Sequence, residues 1–363
     1  MKKLLMALFC VLTLVGLVAC DDEKTSNDNT NEDNTQDTGN QETEGEQTPV
    51  EATYKLGMGV VVSENMTNAQ VDATVATVVL DKDGKIVACR LDAIQNKVNY
   101  AEGSYAIPEA GYETKAELKE RYNMAAFGHS LVGNETVKEW YLQAQAFEAH
   151  VVGMTVAEVE AMPLQTMENG YVISNDQALL ATGCTIQITD FISAVAKACK
   201  DDQGMEFKTA ETFTLGVTAI SADAGSDATN IKVHTEFAAA VVINGKIAAT
   251  LNDAIQPSFV INADNTLTYT FKGTKRELKE GYNMAAFGHS LVGNETVVEW
   301  YLQSAEFSKY VVGMTAAEVL AMPLQTMENG YVISNDQALL ATGCTMQISG
   351  MQAVVAEAVN YAR

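Results

Sequence analysis

A tandem pair of α+β domains is what this chain's pattern predicts, on three observations. Shifting the sequence by 160 residues lays Tyr122 to Ile188 over Tyr282 to Ile348 with 57 of 67 positions identical, which marks an internal repeat. Within each copy, β-rich apolar runs come first and helix-period runs follow, the order of an α+β fold. The strand runs also flank Asp-Gly or Asn-Gly, the strongest short hairpin signal.

In the first copy, Ala73 to Leu80 and Lys85 to Ile94 form a hairpin about Asp81-Lys82-Asp83-Gly84. The second copy repeats it from Thr235 to Val242 across Ile243-Asn244-Gly245 into Lys246. The Asp81 loop opens like a calcium loop but lacks that loop's later oxygen ligands, so calcium is not expected. Helices are expected over Lys115 to Tyr122 and over Glu135 to Phe147, the latter with Val137, Trp140, Tyr141, Ala144 and Phe147 at helical spacing. Thr155-Val156-Ala157-Glu158 has the form of a capping box for a short helix ending near Pro163. Gly170 to Ser174 reads as extended, and a last helix is expected over Asp190 to Lys200, with Thr189 or Ser349 as its cap. Each copy is therefore expected to be an antiparallel sheet with helices packed on it, over 53–205 and 206–363, and a period of this length gives each copy its own core.

Met1 to Ala19 has two lysines and then an apolar run too short for a confident membrane span, which predicts an export signal. Leu17-Val18-Ala19-Cys20 resembles the bacterial lipobox, which implies a lipidated Cys20 as the first mature residue. Residues 20–52 then form an acidic tether: 21–52 hold eleven Asp and Glu against Lys24 alone, with too little apolar surface to fold. The signal carries two positive charges and the tether a net of ten negative. Of the total charge of −24, that leaves −16 on the folded part. Such a field repels phosphate backbones, so nucleic-acid partners are excluded.

Cys89, Cys184, Cys199 and Cys344 remain in the folded part, without CxxC or Cys/His spacing, so no zinc or iron–sulfur site is expected. A Cys89–Cys199 bridge and a pair of buried thiols both fit the sequence. Cysteine nucleophiles are disfavoured because no His follows Cys184 or Cys344 within its own copy's C-terminal stretch to activate it. His129 and His289, in Phe-Gly-His-Ser, read as structural. Trp140, Tyr141, Trp300 and Tyr301, with Met162, Met167, Met322 and Met327, read mainly as packing.

The segment most pointed towards chemistry is Thr182-Gly183-Cys184-Thr185, repeated as Thr342-Gly343-Cys344-Thr345. Glycine lets the chain turn close to a bulky group, two hydroxyls flank it, and the helix that follows offers a positive dipole end suited to phosphate. This run resembles the flavinylation sequence of the FMN-binding domain family, and Asp-Gly-Lys-Ile resembles that family's opening strands. The chain differs in having Cys184 and Cys344 where the family often has Ala, and Leu179 and Leu339 where it has an acid. The resemblance implies two covalent FMN groups, on Thr185 and Thr345, installed by an extracytoplasmic flavin transferase. Together with the lipobox it is similar to the flavinylated lipoproteins of Gram-positive extracellular electron transfer. That implies an electron carrier on the outer face of the cell membrane, fed by a membrane quinone or NADH oxidoreductase. A lipoprotein whose duplicated domains bind a ligand or partner without covalent attachment is the rival reading, and a reductase acting on a soluble substrate is the third.

Overall fold

Asp81 and Gly84 show why the first hairpin closes where it does. The Asp81 carboxylate accepts the N–H groups of Asp83 and Lys85, each at 2.9 Å, and Gly84 takes φ +75°. The strands that it joins are β2 (Gln70–Leu80) and β3 (Ile86–Lys97), and β1 (Ala52–Asn65) pairs antiparallel with β2 on its other side. In the second half, Asn244 and Gly245 both take positive φ, as a two-residue hairpin turn requires. They join β8 (Asn230–Ile243) to β9 (Lys246–Ile255), beside β7 (Thr214–Asp223).

The computed structural model describes residues 50–363 apart from 67–68, 102, 125–136, 285–296 and 329. The signal, Cys20 and nearly all of the tether lie outside the described residues, as do His129 and His289. Pro49–Arg363 forms one compact unit.

Helices and short strands follow each hairpin in the same order. In the first half these are α1 (Lys115–Leu118), α2 (Trp140–Val151), α3 (Val156–Glu160), β4 (Leu164–Thr166), β5 (Val172–Ser174), α4 (Gln177–Ala181) and α5 (Thr189–Cys199). Strand β6 (Met205–Thr209) then returns to pair with β1, which completes a sheet of order β3-β2-β1-β6. In the second half, β10 (Ser258–Ile261) and β11 (Leu267–Thr270) extend the sheet to β11-β10-β8-β7, with β9 on β8. After them come α6 (Lys275–Leu278), α7 (Trp300–Tyr310), α8 (Ala316–Leu320), β12 (Leu324–Thr326), β13 (Val332–Ser334), α9 (Gln337–Ala341) and α10 (Ser349–Asn360). The molecule is thus a mixed α+β protein with several antiparallel sheets.

The two central strands bury both faces, and alternation along each strand shows against what. In β2, Ala76, Val78 and Leu80 join α2 and α5 in one core, whereas Ala73, Val75 and Val79 face a second. In β8, Ala238, Ala240 and Val242 pack with α7 and α10, and Phe237, Ala239 and Val241 turn to that same second core. This second core draws on both halves, from Leu56 and Ile94 to Leu215 and Ile255. The layers run helix, sheet, sheet, helix, so each half has a core of its own and shares another. On the outer faces the helix backbones come down onto glycines. A Cβ on Gly57 would overlap the Ala198 carbonyl oxygen of α5, and one on Gly216 the Ala358 carbonyl oxygen of α10.

Several expectations are refined. The helix expected over 135–147 begins at Trp140 and runs to Val151. Glu139 has ψ 152° and residues 137–139 lie outside the helix, with the Glu139 carboxylate accepting the Met124 N–H at 2.9 Å. Thr155 and Thr315 form the capping boxes. Thr189 and Ser349 do not cap: buried Ile188 and Ile348, tied back to the carbonyls of Val172 and Val332, hold the cap position. Cys89, Cys184, Cys199 and Cys344 are all free thiols.

Polar pins join the halves. Arg276 in α6 donates to both oxygens of Asp201 at 3.0 and 3.1 Å in a buried pair, and Glu148 in α2 accepts from the C-terminal Arg363 at 2.8 Å. Asp92 and Asp253 sit buried below α1 and α6, accepting the N–H groups of Ala116 and Arg276, each at 3.1 Å. Burial pushes these carboxyls up from 3.8, to about 7 for Asp92 and about 6 for Asp253, the latter restrained by Arg276. A carboxyl raised in the fold stabilises it fully below its unfolded value and loses that contribution as pH rises through the folded value. Converting both to Asn keeps the acceptor oxygen. We expect it to flatten the fall of the urea midpoint from about pH 4 to about pH 7 relative to wild type; an unchanged slope contradicts this assignment.

Candidate functional site

In both halves the Thr-Gly-Cys-Thr run is a link between a short helix and a long one, and its two threonines have different fates. Asp336 caps α9 by accepting the Ala338 N–H at 2.8 Å, and Thr342 spends its hydroxyl on the Leu339 carbonyl at 2.7 Å. Gly343 then reverses the chain at φ +91°, a conformation that favours glycine. Cys344 points into the helix-side core, fully buried, and burial pushes its thiol up to about 12. The first half repeats this geometry: Thr182 donates to Leu179 at 2.6 Å, Gly183 has φ +86°, and burial likewise pushes the buried Cys184 up to about 12. Neither cysteine is therefore a thiolate nucleophile near neutral pH, and both act as core.

Thr185 and Thr345 are held by their backbones. Gln303 in α7 accepts the N–H groups of Thr345 and Met346, both at 2.9 Å, and Gln143 in α2 accepts those of Thr185 and Ile186 at 2.8 and 3.1 Å. Their hydroxyls have no hydrogen-bond partner among the described residues, although the two residues are only 4% and 5% exposed. Replacing Gln303 with Leu strands two amides. The expected loss is about 1–3 kcal/mol for each one left unsatisfied, read as a lower denaturation midpoint; an unchanged midpoint contradicts this role for Gln303.

Thr345 opens onto a cavity of about 490 Å³, a volume in the range of small-molecule sites. Trp300, Tyr282 and Met346 give it apolar walls, and Tyr331, 43% exposed, stands at its edge. His234, Glu236 and Gln256 line the side formed by the second sheet, and Lys275 enters from α6. The lysine Nζ lies 5.0 Å from the Tyr282 ring centre and 5.2 Å from that of Trp300, a cation–π position. Burial pulls Lys275 down to about 8 against the opposing pull of Glu236 and Asp253, and burial with Lys275 pushes His234 down to about 3. The imidazole is therefore neutral, and its 3.8 Å approach to Glu236 is not an ion pair. Glu236 Oε2 and His234 Nε2 are both buried without a hydrogen-bond partner among the described residues.

In the first half Lys115 takes the equivalent cation–π position, 4.9 Å from the Tyr122 ring and 5.5 Å from that of Trp140. Tyr141 and Tyr301 turn elsewhere, donating to Glu120 and Glu280 at 2.7 Å. Sequence reasoning located the threonines but missed Gln143, Gln303, His234, Glu236 and the role of the lysines. The glutamines had a signal: a polar residue within the apolar stripe of Trp140, Ala144, Phe147 and Val151.

Comparison with family models, with curated proteins and with solved structures finds no match to this chain. Among the described residues no helix is long and apolar enough to cross a membrane, and no group of three or more His, Cys, Asp or Glu side chains is placed to hold a metal ion.

Proposed function

We propose that this chain is a lipid-anchored extracytoplasmic electron carrier with two tandem homologous domains, 53–205 and 206–363, each holding FMN as a phosphoester on Thr185 or Thr345. The observation that carries this reading is the contrast between the two threonines of each run. The hydroxyl of Thr342 is spent on a helix carbonyl, whereas that of Thr345 has no such partner and its residue borders an aromatic-walled cavity. In the second half the residues present fit the group. Trp300 and Tyr282 offer faces to a planar ring, the unpartnered Glu236 Oε2 and His234 Nε2 suit the ring's N–H and carbonyl groups, and Lys275 supplies positive charge.

Bound FMN supplies one- or two-electron chemistry, and the chain supplies attachment, orientation and charge. Covalent attachment suits a site outside the cell, where a dissociated cofactor is lost by dilution. Cys20 tethers the protein to the membrane, the acidic 20–52 segment holds the folded part away from anionic lipid, and a membrane quinone oxidoreductase is the donor. Because Thr185 and Thr345 are nearly buried, the flavin transferase has to reach the hydroxyl through the cavity mouth beside Tyr331 in the second half. Intact mass of the protein from a host with an active transferase tests the reading: the expected result is two additions, each of one FMN less one water. An unmodified mass overturns it and leaves the reading of a non-covalent ligand-binding lipoprotein.

A further inference from the structure

Two equivalent junctions tie the halves together: the end of α5 meets α6, and the end of α10 meets α1. Gly57 against Ala198 and Gly216 against Ala358 set α5 and α10 in the same place on their sheets, so residue 197 corresponds to 357 and residue 201 to 361. Glu117 and Glu277 correspond as the third residues of matching capping boxes.

The same places hold different chemistry. At the α5–α6 junction opposite charges meet: Lys197 with Glu277 at 2.7 Å, Arg276 with Asp201 at 3.0 Å and Lys279 with Asp202 at 2.6 Å. At the α1–α10 junction the corresponding residues are Glu357 with Glu117, Ala116 with Tyr361 and Lys119 with Ala362, so none of the three can be an ion pair. The first has become two carboxyls. Tyr361 donates its hydroxyl to Glu117 at 3.2 Å, and its N–H bonds the Glu357 carbonyl at 3.0 Å, which places Glu357 one helical turn before it on the face of α10 turned to Glu117. Glu117 and Tyr361 both make side-chain hydrogen-bond interactions with Glu357. Burial, then Glu117, push the Glu357 carboxyl up from 4.5 to about 7, against the pull of the Tyr361 hydroxyl. Two carboxyls at such range ionise together only at a cost, so the pair holds one proton between them.

We propose that the α1–α10 junction is a proton-operated latch, closed while Glu117 and Glu357 share a proton and loosened once that proton has gone to solvent, whereas ion pairs hold the α5–α6 junction. The latch does not depend on the flavin reading. Glu117 and Tyr361 border a cavity of about 450 Å³, whose other charged groups are Arg90, Asp92, Lys119, Glu120, Glu148 and Arg363. Arg90 and Arg363 are committed to Glu148. Asp92 has its counterpart in Asp253 below α6, so its titration is common to both junctions. Helix α1 also carries Lys115, seated on the Tyr122 and Trp140 rings, so loosening of α1 reaches Trp140. A carboxyl raised in the closed state stabilises that state fully below about pH 4.5 and loses the contribution as pH rises to about 7.

The test uses the full chain and compares two equivalent amides by hydrogen exchange, corrected for the intrinsic effect of pH. These are the N–H of Leu118, bonded to the Thr114 carbonyl at 3.0 Å, and that of Leu278, bonded to Thr274 at 2.9 Å. From pH 4.5 to pH 7.5, protection of Leu118 should fall at least tenfold more than that of Leu278, since one linked proton is worth up to tenfold per pH unit. Emission of Trp140 in the Trp300→Phe variant should change over the same range. Glu357→Gln keeps the hydrogen-bonding group without the charge and should abolish the difference between the two amides. Glu357→Lys recreates the Lys197–Glu277 arrangement and should leave Leu118 at least as protected at pH 7.5 as at pH 4.5. Equal loss of protection at both amides overturns the latch. A difference that survives both Glu357 variants belongs to another group of the cavity and overturns it as well.

Discussion

Phe237→Ala lowers the unfolding free energy by about 3–5 kcal/mol, the cost of emptying a large aromatic site in a core that relaxes only partly. Phe237 lies on β8 with no exposed surface and faces the core shared by the two sheets. Side chains from both halves line that core, so the lost contacts belong to both, and the molecule should still melt as one unit. The chain has 2 tryptophans, Trp140 and Trp300, one against each outer core. Single-tryptophan variants with Trp140→Phe or Trp300→Phe therefore report on each half separately. With Phe237→Ala added, both signals should move to the same lower denaturant midpoint with an unchanged slope. Movement of the Trp300 signal alone would mean that the halves are independent and that the shared core contributes little.

That shared core is what sequence reasoning did not supply. The hairpins at Asp81 and Asn244 and the capping boxes at Thr155 and Thr315 were legible because local chemistry dictates them: an Asp carboxylate closing a turn, a Gly at positive φ, a Thr–Glu exchange at a helix start. Strands β1 and β7 went unread, because Gly57 and Gly216 interrupt the apolar run for the sake of helix contacts distant in sequence. The apolar runs of β2 and β8 marked strands, but such a run cannot say whether a face is covered by a helix or by another sheet.

The candidate site divides in the same way. Thr185 and Thr345 stood out through their repeated motif, whereas Lys275 and Glu236 look like ordinary surface charges in sequence and acquire a role only when the fold buries them together.

If FMN is esterified as proposed, Thr345→Ala should remove one FMN and leave the other, because among the described residues the other side chains of the run are already committed. The Thr342 hydroxyl is engaged by the Leu339 carbonyl, and Cys344 is buried with its thiol protonated. Thr185→Ala should do the same in the first half, where Thr182 and Cys184 are equally committed. The double variant should fold with a denaturation midpoint near wild type, since neither hydroxyl makes a hydrogen bond that the fold needs. It should lack yellow colour and show no flavin reduction on exposure to a reductant.

Intact-mass analysis of the full chain, made in a host with an active extracytoplasmic flavin transferase, tests the central claim most directly. The account predicts two FMN additions on the wild type, one on each single variant and none on Thr185→Ala with Thr345→Ala. A wild-type chain without either addition, or additions that survive in the double variant, would contradict it.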